Sequence, residues 1–171
     1  MIITRSARLI VRRFTVDDAG AMSAVLGDPE VMRFSDNGVL SPPEIRTWVQ
    51  RQIASCDNAA GPGRWAIVTK AGDTAFGYIG LTIEPERCGP GEAELGFRLA
   101  RNCWGRGYAT EAAGAVIDFG FRTFRPRRII AIADPANAAS VRVIEKLGMN
   151  FDSLVSFPGY DHPDRKYVLS R

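Results

Sequence analysis

The 171-residue chain has a single histidine, His162, and three widely spaced cysteines, Cys56, Cys88 and Cys103. One histidine and no G-x-S-x-G motif leave a Ser-His-Asp hydrolase without support. An odd number of cysteines with no metal-ligand spacing leads us to expect no disulfide framework, no metal, and a reduced, cytoplasmic chain. No apolar run reaches 18 residues, so no membrane span is expected. The opening "MIITRSARLIVRR" lacks the apolar core of a secretion signal. Internal repeats, low-complexity segments and the GxxxxGK[ST] loop of nucleoside-triphosphate enzymes are also missing. Charge of one sign is scarce: the net charge is +3, and Arg12-Arg13 and Arg125 to Arg128 read as solvated faces. A nucleic-acid partner would need a larger basic excess with interleaved aromatics, so none is expected. A single anionic small molecule suits this balance as well.

What is present reads as one domain, residues 1–171, with 46% hydrophobic and 24% charged residues, enough to bury a core unaided. "RLIVRRF" (Arg8 to Phe14) predicts a strand. Thr15 to Asp18 supply capping groups for a helix near 17–26, with Gly27 as its stop. "SPPEIRTWVQRQIASC" opens on prolines and repeats its apolar residues at Ile45, Trp48, Val49 and Ile53, which predicts a second helix. "NAAGPG" (Asn58 to Gly63) reads as a loop. Three strands, 65–69, 76–83 and 93–99, are separated by turn residues and suggest an antiparallel meander. A helix striped by Ala109, Ala113, Val116, Ile117, Gly120, Phe121 and Phe124 follows "WGRG". Then come a strand in "RRIIAIAD" with the polarity of one buried on both faces, a short helix in "NAASVRVIEKLG" stopped by Gly148, and a closing strand pair. The order of elements is that of an α+β or mixed-sheet fold.

The turn "WGRGYATEA" (Trp104 to Ala112) raises the functional question. Two glycines before a helix cost backbone entropy. No Ser, Thr, Asp or Asn stands at Gly105 to Gly107 to cap the helix, so its first amides are left for water or for an anion such as phosphate. A dinucleotide fold is excluded. Its third glycine is missing, and too little chain follows Asp134, which ends the next strand, to complete a doubly wound sheet.

"GEAELGFRLARNCWGRGYATEAAGAVIDFGF" followed by "NAASVRVIEKLGM" resembles the GCN5-related N-acetyltransferase (GNAT) superfamily, and more closely its ribosomal-protein alanine N-acetyltransferase branch. "RLIVRRFTVDDA" resembles the start of that branch, so the resemblance runs along nearly the whole chain. It implies the GNAT fold, α+β, with a mixed, mostly antiparallel sheet of about six to seven strands and about four helices. It also implies acetyl-CoA as co-substrate. The superfamily's acyl-CoA signature, Gln or Arg, two residues, Gly, one residue, then Gly or Ala, falls on Trp104 to Ala109, with Trp104 departing at its first position. The resemblance assigns cofactor binding to Gly105, Arg106, Gly107, Tyr108, Ala109 and Thr110, whose amides would cradle the pyrophosphate. Glu111 reads as a structural dipole partner. Phe97 or Leu99 would donate an amide to the thioester carbonyl. The resemblance makes Asn137 a pantetheine ligand and Ser140 a cofactor contact and general acid toward the leaving thiolate. Without it, Asn137 is a helix N-cap and Ser140 a first-turn residue. Arg142 and Lys146 read as solvated.

Acetyl transfer to an amine requires a neutral amine, and alkyl amines with pKa about 8 to 10 are mostly charged at neutral pH. Glu92 and Glu94 lie two apart on one strand and so share a face. Glu94, where the branch usually carries a glutamate, is the candidate base, alone or through water; a structural hydrogen-bonding role is the alternative. Glu92 and Asp164 are candidates to bind the acceptor amine, with "RFSDNG" (Arg33 to Gly38) at the mouth of that site. His162 reads as a surface-loop residue, with help as a base as the alternative. The expected activity is acetyl transfer to a primary amine of a small molecule or a protein N-terminus. The rival reading is a non-catalytic acyl-CoA sensor. A monomer or homodimer and no membrane partner complete the expectation.

Overall fold

A computed structural model describes residues 1–35, 37–57 and 62–171, apart from the side chains of 56 and 57. Most of the predicted loop at Asn58 to Gly63 lies outside the described residues, as does Asp36 of the "RFSDNG" segment. Eight strands form one sheet in the order β1-β2-β3-β4-β5-β6-β8-β7. They are β1 (Ile2–Arg5), β2 (Leu9–Arg12), β3 (Arg64–Thr69), β4 (Gly77–Thr82), β5 (Glu92–Leu99), β6 (Arg128–Ala133), β7 (Asn150–Val155) and β8 (Asp164–Ser170). Every neighbouring pair is antiparallel except β5 and β6.

The predicted meander is β3-β4-β5, and its alternation sorts the core into two layers. Trp65, Ile67, Ile79, Leu81 and Leu95 face one side, packed under α5 (Tyr108–Thr123) and α6 (Ala138–Lys146). Ala66, Val68 and Tyr78 face the other, under the single turns α1 (Asp18–Ala21), α2 (Ser23–Leu26) and α3 (Pro29–Met32) and the long helix α4 (Pro42–Asp57). On α4 the repeat of Ile45 and Val49, both 1% exposed, turns the helix onto that layer. On α5 the buried stripe is Ala112, Ala113, Val116, Ile117 and Gly120.

Three elements differ from expectation. The first strand is a hairpin: Ser6 turns the chain, its amide donating to Leu9 O at 3.0 Å and its hydroxyl accepting from Leu9 N at 3.1 Å. That adds β1 and takes the sheet to eight strands. Its four residues are too few to show a pattern. The helix near 17–26 is two turns meeting at Met22, whose ψ of −11° leaves the α-helical range. Asp18 there is 4% exposed and takes both Nη1 and Nη2 of Arg12 at 2.8 Å. Burial alone would raise the Asp18 pKa, but the Arg12 guanidinium and the Thr15 amide hold it below the usual carboxylate value. Finally, α3 begins at a D-P signal: Asp28 Oδ1 accepts from Glu30 N at 2.8 Å, with Pro29 in the first turn.

Candidate active site

The sheet splits between its two parallel strands. β5 and β6 pair over only three rungs, Glu92↔Arg128, Ala93↔Ile129 and Glu94↔Ile130. β5 then runs on to Leu99 and β6 to Ala133, and β6 instead pairs with β8 along its whole length. The direction of the free edge follows from one hydrogen bond. Ala100 N donates to Phe76 O at 2.8 Å, on the β4 side. Backbone groups alternate along a strand, so the N–H and C=O of Leu95, Phe97 and Leu99 point the other way, into the split. The indole of Trp104 donates to Leu99 O at 2.8 Å and pins the end of this edge. Trp104 thereby has a clear task where the superfamily signature carries Gln or Arg.

Beside the split lies the N-terminus of α5. Gly105 and Gly107 have φ of 71° and 76°, in the left-handed region that glycine enters without strain. Handedness is thus a first reason for both glycines, and open space is a second. A Cβ on Gly105 would meet nothing within 4 Å, and one on Gly107 only the Arg8 guanidinium at 3.5 Å. Gly107 is the N-cap and offers no side chain. Its carbonyl accepts from Glu111 N at 3.0 Å, so the amides of Tyr108, Ala109 and Thr110 have no partner inside the helix. These amides, the positive end of a 16-residue helix, and Arg106 fit a pyrophosphate. The open edge of β5 fits an extended amide-containing arm.

The turn is held by contacts that the linear order conceals. Arg8 donates through Nη2 to Arg106 O at 3.1 Å and lies 4.6 Å above the Tyr108 ring. Glu111 accepts from the Arg8 amide at 2.7 Å, from Arg8 Nε at 2.6 Å and from the Ser6 hydroxyl at 2.8 Å. Burial raises the Glu111 pKa, but these donors outweigh it and hold the carboxyl below its usual value. Glu111 is the structural residue it was expected to be, although its partners lie over 100 positions away.

Glu92 and Glu94 stand at the closed end of β5. Glu92 is 2% exposed. It accepts from Arg128 Nη2, from Lys166 Nζ at 2.8 Å and from Gly89 N at 2.9 Å. Burial pushes its pKa up, but Lys166, the Gly89 amide and Arg128 bring it below the usual carboxylate value. Acceptor binding at Glu92 is therefore set aside, because its oxygens are consumed in tying β5 to β6 and β8. Glu94 takes Arg87 Nε at 2.7 Å and Nη2 at 2.9 Å, and Arg87 stacks 4.6 Å from the Phe157 ring. The structural alternative for Glu94 thus has a definite partner. Each carboxylate oxygen still keeps one lone pair for water.

Past the split, Asn137 caps α6: its Oδ1 accepts from Ser140 N at 3.1 Å. Its side-chain NH2 and the half-buried Ser140 hydroxyl have no partner among the described residues. Asp164, at the start of β8, has its Oδ1 3.7 Å from His162 Nδ1, and His162 Nε2 is 3.5 Å from Asp134 Oδ2. One donor atom from each of Asp134, His162 and Asp164 lies within 4.8 Å of the others, the one such group with cation-like spacing among the described residues. The sequence pointed to Asp164, with His162 as a lesser alternative, and did not join either to Asp134, since β6 and the β7–β8 loop meet only through the sheet.

A family model, Acetyltransferase (GNAT) domain, matches residues 8–150. The chain is 30% identical over 150 residues to the uncharacterized N-acetyltransferase p20 of Bacillus licheniformis, covering 86% of this chain and 82% of that protein. Its likeness to the uncharacterized N-acetyltransferase YnaD of Bacillus subtilis is 30% identity over 83% of this chain and 79% of that one. Among solved structures, an acetyltransferase (GNAT family) from Bacillus anthracis superimposes with a TM-score of 0.86 at 26% identity, covering 99% and 98% of the two chains. The ribosomal L7/L12 alpha-N-protein acetyltransferase RimL, in complex with coenzyme A, shares the fold, with a TM-score of 0.83 at 21% identity over 99% and 98%. The split sheet, the glycine turn and these likenesses agree: the chain belongs to the GNAT acetyltransferase family and is an N-acetyltransferase whose acetyl donor is acetyl-CoA.

Proposed function

We propose that this protein, acting as one GNAT domain, transfers the acetyl group of acetyl-CoA to a primary amine by direct attack in a ternary complex. The observation that carries this reading is the unpaired edge of β5 lying beside the uncapped start of α5. In this reading the amides of Arg106 to Thr110 take the pyrophosphate, with Gly105 and Gly107 shaping the turn. Asn137 binds the pantetheine arm through its side-chain NH2. The amide of Phe97 or Leu99 polarises the thioester carbonyl, a donor held rigid by the sheet.

The acceptor arrives as an ammonium ion and loses one proton to water held on the free lone pairs of Glu94. Its nitrogen then forms the C–N bond, and the C–S bond breaks with its electron pair leaving on sulfur. The second amine proton ends on that sulfur, relayed by the Ser140 hydroxyl or by water. No covalent enzyme intermediate is needed. Cys88 and Cys103 are free thiols, in keeping with a reducing, cytoplasmic setting.

The test is calorimetric titration of acetyl-CoA into wild type and Gly107→Trp. Tight binding that the variant loses supports the site. A folded wild type that binds no acetyl-CoA would sink the reading.

A further inference from the structure

Residues two apart on a strand share a face, so Glu92, Glu94, Gly96 and Arg98 all look toward the α1–α4 layer. Gly96 is exposed, and a Cβ built on it would meet no atom of the described residues within 4 Å. Among the described residues the space over the middle of β5 is therefore open, beside the split where the thioester would sit. The charges around it are unequal. Glu94 is matched by Arg87, Glu84 by Arg64, and Glu92 by two cations, Arg128 and Lys166. Arg98 is different. Its Nη1 donates to Ser35 Oγ at 3.1 Å and lies 3.3 Å from Met32 Sδ, both neutral groups. Among the described residues it meets no carboxylate, and most of its five N–H donors remain for a ligand.

The opposite wall carries the opposite sign. Arg98 lies four residues beyond Glu94, and Asp134 lies four residues beyond Ile130, the rung partner of Glu94. Asp134 directly follows Ala133, the last residue of β6, so Arg98 and Asp134 each stand past the last rung, one on either side of the split. Asp134 is joined there by Asp164 and His162.

We infer that the acceptor is a primary amine that also carries a carboxylate. Arg98 binds the carboxylate and so sets specificity, while Asp134 and Asp164 draw the ammonium end into the split, where the water on Glu94 takes its proton. This assignment rests on the acetyl-CoA-dependent transfer proposed above. A polycationic acceptor would place positive charge against Arg98 and be rejected.

The experiment follows CoA release with a thiol reagent. Amino acids and dipeptides are compared with their own carboxamides and with spermidine, and the Kd of acetyl-CoA is measured for each variant. Carboxylate acceptors are expected to exceed the matching amides in kcat/KM by about tenfold or more. Arg98→Gln should remove that preference through KM and leave the acetyl-CoA Kd unchanged, with Arg98→Lys restoring part of it. Amides or spermidine serving equally well would overturn the inference. So would an intact preference in Arg98→Gln, or a carboxylate panel that is inert while acetyl-CoA binds. Failure of acetyl-CoA itself to bind would instead remove the transferase reading beneath it. A melting curve checks that Arg98→Gln folds, and Arg98→Lys carries the same comparison where it does not.

Discussion

The two halves of β5 share one strand and opposite fates. From Glu92 to Glu94 the strand is paired on both edges, and its carboxylates are held by ion pairs, Glu92 to Arg128 and Lys166 and Glu94 to Arg87. From Leu95 to Leu99 it keeps its β4 partner and, among the described residues, has no strand along its other edge. Backbone groups left unpaired at the heart of a sheet are costly unless water or a ligand completes them. The difference shows how one strand can be both an anchor and a binding surface: the ion cluster closes one end so that the other can stay open.

The largest expected effect breaks the closed half. Glu92→Ala leaves Arg128 and Lys166 without their buried counter-ion, and should destabilise by about 3–5 kcal/mol. In a domain of this size that is a fall in Tm of roughly 10 °C. The same residue sets a pH dependence. Because the folded-state pKa of Glu92 lies below its unfolded value, its contribution is complete above the unfolded value of about 4.3 and is lost as pH falls through the folded one. Acid melting curves should show a wild-type loss below about pH 4 that is smaller in Glu92→Gln. A variant as stable as wild type at pH 7 would show that the closed half is not held by this cluster.

A smaller effect sharpens the open half. Gly107→Ala forces a Cβ into a φ of 76°, at a cost of roughly 1–2 kcal/mol. Taken up as a changed turn, that weakens acetyl-CoA binding by on the order of tenfold. Calorimetry set beside the melting curve separates lost binding from lost stability. The smallest effect concerns the anchor behind the turn. Glu111→Gln disturbs its pair with the half-exposed Arg8, and should cost about 0.5–1 kcal/mol, less at high salt. A large loss of acetyl-CoA affinity in that variant would show that Arg8 and Glu111 shape the turn rather than merely secure it.

Much of this was legible along the chain. The meander, α4, α5 and α6 lay in period-2 and period-3.6 patterns, and the bare turn at Gly105 to Gly107 marked the start of α5. β1 was not legible, because four residues carry no period. α3 was missed although Asp28-Pro29 announced it. At the site, Asn137 was open to a capping role from its position, and its Oδ1 makes that bond. Arg98 was passed over because an arginine on a strand says nothing of what it faces.

The sequence by itself determined β2, the meander, β6, the closing strand pair, α4, α5 and α6, and which helix would begin without a cap. Both depend on residues within a turn or two of each other. Only the tertiary structure decided that β5 and β6 part after Glu94, that Glu92 is spent on Arg128 and Lys166, and that Arg8 braces a turn 98 residues away. Those outcomes depend on which strands become neighbours, and a carboxylate has no fixed role until the sheet has chosen its partners.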